Sequence, residues 1–172
     1  ILTYFEQNAA RFEQDLCTLL SIPSVSTDQA RRAEMQRCAE EVVRQLHQAG
    51  IQDTRIMPTG GHPAVFAASK HHPDRPTLLV YGHYDVQPEV PVELWESPPF
   101  EPTVRDGKLY ARGTTDDKGQ FLIHLKAAEA LHALRGELPV NLKFILEGEE
   151  EIGSPNLPAF IEAHQDLLAC DV

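Results

Sequence analysis

Cysteine is scarce in this chain: Cys17, Cys38 and Cys170 are the only 3. Their spacing matches no metal-ligand or redox motif, and an odd count excludes a fully paired disulfide framework. All three are expected to be small buried residues. Positive charge is short as well. The 15 Lys and Arg stand against 26 Asp and Glu, a formal net charge of -11, which excludes nucleic acid or an anionic membrane as the main partner because both need basic surface. No apolar run approaches the roughly 18 to 20 residues of a membrane span. Glu6, Arg11, Glu13 and Asp15 occupy the stretch where a signal peptide needs an apolar core. The expectation is a soluble, cytoplasmic protein.

What is present suffices for a folded domain. At 172 residues, 42% of them hydrophobic and 24% charged, the chain can bury enough apolar surface to offset its conformational entropy. Phe5, Ala9, Phe12, Leu16 and Leu19 recur at helical spacing up to Pro23, which predicts a first helix. Met35, Ala39, Val42, Leu46 and Ala49 predict a second, with Thr27 or Asp28 able to cap it and Gly50 beyond its end. The period then changes. Thr54 to Met57 and Ala64 to Ala68 read as a hairpin-like pair of strands around Pro58, Gly60, Gly61 and Pro63. His71 and His72 lie in a polar loop and are assigned no role.

Thr77 to Tyr81 is continuously apolar, as expected for a strand buried on both faces of a mostly parallel sheet. A long proline-rich loop follows from Val86 to Ala111, holding the only tryptophan, Trp95, and a turn at Arg105-Asp106-Gly107-Lys108. Lys118 to Arg135 reads as a helix ended by Gly136; His124 and His132 within it lack partners at helical spacing and are read as surface or satisfied core groups. Val140 to Leu146 alternates into Glu147, Ser154-Pro155 reads as a helix start, and Leu157, Phe160, Ile161, His164 and Leu168 form a closing helical stripe. The order of elements predicts an α/β layered domain. The chain does not begin with methionine, and Cys170-Asp171-Val172 resembles the start of another strand. A piece of a longer protein is therefore expected.

Three clusters sit where predicted strands end or a helix begins: Tyr81-Gly82-His83-Tyr84-Asp85, Arg112 to Gly119 with Asp116 and Asp117, and Glu147-Gly148-Glu149-Glu150-Glu151. Ligands gather beyond the carboxyl ends of strands in open α/β sheets, so these distant residues can meet at one edge. One imidazole with several carboxylates suits zinc, or manganese or cobalt. Such a pair of ions can acidify a water and hold the oxyanion formed at a carbonyl. A neighbouring carboxylate then serves as general base. Each cluster alone is weak, since a helix start or a solvated acidic turn explains it equally well.

Together with Gln87-Pro88, Trp95, Pro98-Pro99-Phe100, Gly107-Lys108-Leu109-Tyr110-Ala111-Arg112-Gly113 and Ile152-Gly153-Ser154, these clusters resemble the co-catalytic dinuclear zinc metallopeptidases. That family includes carnosinases, peptidase V, glutamate carboxypeptidase, aminoacylase and succinyl-diaminopimelate desuccinylase. The resemblance covers nearly all of the chain and is nearest to the dipeptidase branch. It implies a three-layer α/β/α domain with a mixed, mostly parallel sheet, and two metal ions. It implies that His83 binds the first metal, Asp116 bridges both, Glu151 binds the second, Glu150 is the general base and Asp85 orients the site around His83. It also implies a cis peptide bond between Asp116 and Asp117. Ala111 stands where the family often has glycine.

The family completes its metal ligands further along a longer chain, and its inserted lid and dimerisation domain is absent from these residues. The resemblance therefore implies that residues 1–172 are the N-terminal part of a catalytic domain whose full protein is a homodimer. The expected activity is hydrolysis of dipeptides or small peptides. The alternatives are an N-acyl amino acid deacylase or carboxypeptidase using the same site, or, for these residues alone, an inactive half-site.

Overall fold

The computed structural model describes residues 1–172. The first stripe forms helix α1, Leu2–Leu20, and the second forms α2, Arg32–Gln48. Asp28 caps the 3-10 turn Gln29–Arg31 ahead of α2 by accepting from Ala30 N–H at 2.9 Å. Gly50, with φ +85°, turns the chain after α2. Strands β1, Asp53–Met57, and β2, Ala64–Ala68, form the expected antiparallel pair. Strand β3 runs Thr77–His83, so His83 is its last residue rather than one beyond it.

Within the long loop, β4, Thr103–Arg105, and β5, Lys108–Tyr110, make a small hairpin. Its corner residues Asp106 and Gly107 have φ +49° and +72°, the left-handed pair that matches strand twist. Trp95 Nε1 donates to Glu89 O at 3.0 Å and the Arg112 guanidinium lies 5.2 Å over the Trp95 ring, which fastens the loop. Helix α3, Lys118–Arg135, ends on Gly136 at φ +76° as the sequence indicates. Strand β6 is Asn141–Glu147, and the chain closes with α4, Leu157–Ala163, and α5, Gln165–Leu168.

The sheet order is β1-β2-β6-β3. It is mixed, as expected, although among these four strands the parallel pairing is not the majority: β3 and β6, joined by a crossover through α3, run parallel, while β1–β2 and β2–β6 are antiparallel. Strands β2 and β6 are buried along nearly all their length, whereas Leu78 and Tyr81 of β3 are exposed at the sheet edge. Leu79 N–H donates to Val172 O at 2.8 Å and Val172 N–H to Thr77 O at 3.3 Å. That is the bonding pattern of a parallel ladder, so the last residues do enter a strand-like pairing.

Three layers result. Val65, Ala67, Phe144 and Leu146 face α1, α2 and α3, while Ala64, Phe66 and Ile145 face Phe160 and Leu168 of α4 and α5. The closing stripe is interrupted at His164, which divides it into two short helices. Ser154 does not cap the first of them. It lies in left-handed space at φ +50° and its hydroxyl is used elsewhere, while Asn156 precedes the helix and Pro158 lies in its first turn. Of the cysteines, Cys38 is buried, Cys17 half-buried and Cys170 exposed, so the expectation of three buried thiols holds for Cys38 alone. His124 and His132 are at the surface. No helix is long and apolar enough to cross a membrane.

Two buried cations were not legible as such. Lys126 Nζ lies 2.6 Å from Asp15 Oδ2 and 3.3 Å from Glu129 Oε2, a buried ionic link between α1 and α3. Lys118, fully buried, donates to Leu19 O at 2.9 Å and Ile22 O at 2.7 Å. Burial pushes its ammonium down from the ordinary lysine range. Both carbonyls lie where α1 ends, so Lys118 ties the start of α3 to the end of α1.

Phe144 is fully buried between the layers. Phe144→Ala is expected to lower stability by about 3–5 kcal/mol in denaturant titration. Ile123→Ala, at an exposed position of α3, is expected to change it by less than about 0.5 kcal/mol.

Candidate metal centre

The parallel pairing of β3 with β6 sets His83 opposite Glu147, so two of the three clusters end at the same edge of the sheet. The ladder continues one step, with Tyr84 N–H donating to Glu147 O at 2.9 Å. Tyr84 is wholly buried, its hydroxyl donating to Pro63 O at 2.5 Å. A Cβ on Gly148 would come within 2.5 Å of the Tyr84 hydroxyl, which is why a glycine follows Glu147.

The His83 ring is buried and held from both sides. Nδ1 is 3.1 Å from Asp85 O and 3.3 Å from Asp85 Oδ1, and Nε2 is 3.0 Å from Asp116 Oδ1 and 3.7 Å from Glu150 Oε2. Asp85 has no exposed surface. Its carboxylate also accepts Glu150 N–H on Oδ1 at 3.2 Å and Glu151 N–H on Oδ2 at 3.1 Å. One buried carboxylate therefore places the imidazole of β3 and the 3-10 turn Glu150–Ile152 that follows β6.

Asp116 comes from the start of α3. The chain reaches it through Gly113 at φ +87°, and Gly119 lets Thr114 O lie against the first turn of the helix where a Cβ would overlap it. The Asp116–Asp117 peptide bond is cis, as the resemblance implies. Asp116 is exposed toward the site while Asp117 turns the other way, its Oδ2 accepting His83 N–H at 3.0 Å.

The four glutamates of the third cluster have different surroundings. Glu147 is buried and accepts from the Tyr81 hydroxyl at 2.7 Å and the Ser154 hydroxyl at 2.8 Å. Glu149 is buried and accepts from His62 N–H at 3.0 Å and Asn156 Nδ2 at 2.8 Å. Glu150 is exposed, and Glu151 is half-buried with Gln87 Nε2 donating to its Oε2 at 2.7 Å. His83, Asp116 and Glu151 offer ligand atoms within 4.8 Å of one another. His71 and His72 take no part: they lie in the loop before β3, where Asn141 bonds both the N–H and the carbonyl of His72. Gln87, Tyr81, Ser154, His62, Asn156 and the orientation of Asp117 are contributions that spacing alone did not reveal.

The electrostatics are those of a site with surplus negative charge. Burial pulls the His83 pKa down, but the hydrogen bond and charge of Asp85, with the charges of Asp117 and Glu150, more than offset this and raise it to about 9. Burial raises Glu151, and Asp116 and Asp85 add to the rise against the Gln87 hydrogen bond. Burial likewise raises Asp117, with a contribution from Asp116. One imidazole and two carboxylates converge with little cationic compensation from the protein. That donor set fits a divalent ion of the borderline class, whose charge relieves the mutual repulsion of the carboxylates.

The model of "Peptidase family M20/M25/M40" matches residues 79–171, a segment that contains His83, Asp85, Gln87, Asp116, Asp117 and the four glutamates. The chain is 36% identical to the mouse Beta-Ala-His dipeptidase, covering 95% of this chain and 36% of that protein. It is 35% identical to the Cys-Gly metallodipeptidase DUG1 of Candida albicans, covering 91% of this chain and 35% of the relative. Among solved structures, human carnosine dipeptidase 1 superposes with a TM-score of 0.87 at 34% identity, over 95% of this chain and 37% of that one. The chain thus spans little more than a third of the length of these relatives. With the fold, the ordered clusters and the family model in agreement over the same residues, the chain belongs to peptidase family M20/M25/M40.

Proposed function

We propose that the protein carrying this chain is a metal-dependent hydrolase of dipeptides or small peptides. The observation that carries the reading is the meeting of His83, Asp116 and Glu151 within 4.8 Å, with the Glu150 carboxylate 3.7 Å from His83 Nε2. The names of the mouse and Candida relatives, both dipeptidases, support the substrate class.

In this reading His83, Asp116 and Glu151 would hold two zinc ions, His83 serving the first, Glu151 the second and Asp116 both; manganese or cobalt would suit the same donors. The chemistry such ions would supply is a more acidic attacking water and stabilisation of the oxyanion formed at the scissile carbonyl. Glu150 acts as general base: its exposed carboxylate takes the proton of the water and passes it to the departing amine. Asp85 orients the His83 ring and, through its two accepted N–H groups, the backbone that carries Glu150 and Glu151. Gln87 restrains the Glu151 carboxylate.

One imidazole and two carboxylates are fewer donors than two four-coordinate ions need. The reading therefore assigns the remaining ligands to segments outside residues 1–172, which form the first part of the catalytic domain. It likewise assigns the lid and the homodimer interface to a domain outside these residues, and a cytoplasmic location to the whole.

Four outcomes are expected. After chelation and readdition of zinc or manganese, the protein hydrolyses free dipeptides in preference to N-acetyl amino acids; the reverse preference would replace this reading with a deacylase. Glu150→Gln keeps its metal and loses turnover by about 100-fold or more, read by metal analysis beside steady-state kinetics, whereas Asp116→Ala loses both ions. Asp85→Ala weakens metal binding about 10- to 100-fold in competitive titration. The isolated 172-residue chain binds metal weakly and turns over no dipeptide; turnover comparable to that of the full protein would refute the ligand count.

A further inference from the structure

Asp117 occupies the residue before the first turn of α3, where an aspartate ordinarily accepts from the N–H groups of its own helix. It does not do so here: α3 has no side-chain cap. The Asp117 carbonyl makes the ordinary first bonds of the helix, accepting Gln120 N–H at 2.9 Å and Phe121 N–H at 3.0 Å. The side chain reaches across to β3, and its Oδ2 accepts His83 N–H at 3.0 Å.

Because Tyr84 N–H points to β6, the preceding His83 N–H points to the opposite edge of β3, the edge on which Val172 pairs beside Leu79. At that point of the edge it is the Asp117 carboxylate that receives it. The approach of the carboxylate also fixes the residue beside it. A Cβ on Gly82 would stand 2.6 Å from Asp117 Oδ2 and 3.1 Å from both Leu146 Cδ2 and Phe121 Cβ. Gly82 has no left-handed φ to account for it; what it provides is room for Asp117.

We infer that Asp117 is a positioning residue that sets the distance between His83 and Asp116. The two lie 33 positions apart on different elements, and their ring nitrogen and carboxylate oxygen stand 3.0 Å from one another. Asp117 is joined to Asp116 by the chain and to His83 by the hydrogen bond, so the start of α3 cannot shift along the strand edge without breaking that bond. Asp85 fixes His83 relative to Glu150 and Glu151; Asp117 fixes it relative to Asp116. Gly82 belongs to the same device.

The inference rests on the metal-site reading above, and the test separates the two. Asp117→Ser is the informative variant: serine is a good helix cap but too short to reach the β3 backbone. In the full protein, competitive zinc titration is expected to give about 10- to 100-fold weaker binding for Asp117→Ser, while the metal-free thermal midpoint stays level or rises because α3 gains its own cap. Asp117→Asn keeps an acceptor oxygen in place and is expected to bind zinc within about three-fold of the parent protein. In Gly82→Ala the added methyl displaces the carboxylate, and its loss combined with that of Asp117→Ser is expected to fall short of the product of the two. Parent-like zinc affinity in Asp117→Ser would overturn the positioning role, as would equal losses in Asp117→Ser and Asp117→Asn. Failure of the parent protein itself to bind zinc would instead overturn the metal-site reading.

Discussion

The centre depends on one buried carboxylate. Asp85 has no contact with solvent, yet three groups converge on its carboxylate: the His83 ring and the N–H groups of Glu150 and Glu151. A charge buried this way is tolerated when hydrogen-bond donors satisfy it. Here the donors are parts of the site itself. Removing Asp85 would therefore loosen the imidazole on β3 and the acidic turn after β6 together, which is how one side chain can govern the geometry of groups more than 60 residues apart in sequence.

The sheet makes that convergence available. Most of its pairings are antiparallel, and the single parallel pair, β3 with β6, is where the candidate ligands project. Parallel strands end at the same edge, so His83 and the run from Glu147 to Glu151 arrive together, and the helix α3 that connects the two strands must pass Asp116 across the same edge on its way. The crossover that permits parallel pairing thus also supplies the third candidate donor. Lys118 adds rigidity one residue beyond Asp117 by gripping the two carbonyls where α1 ends.

Local signals in the sequence were reliable where local chemistry decides structure. The left-handed turn at Asp106-Gly107 and the end of α3 at Gly136 follow from glycine's freedom at positive φ. They failed where a side chain is claimed by a distant partner. Ser154 followed by Pro155 has the form of a helix start, but the Ser154 hydroxyl is drawn to Glu147 and the helix begins later. Asp117 has the form of a cap and is drawn to His83. The four glutamates of one short run illustrate the limit best: composition treats them alike, while the fold buries Glu147 and Glu149 among donors and leaves Glu150 and Glu151 facing the site. A continuous apolar run such as Thr77 to Tyr81 does not reveal which neighbours will flank it, so the pairing of each strand is legible only in the fold.

The central claim is that His83, Asp116 and Glu151 hold a pair of divalent ions. Its most direct test is anomalous diffraction at the zinc edge from crystals of the full protein equilibrated with zinc. The account predicts two anomalous peaks about 3.5 to 4 Å apart, one bonded to His83, the other to Glu151, and Asp116 touching both. A single peak remote from Asp116, or two peaks that share no carboxylate from the start of α3, would contradict it.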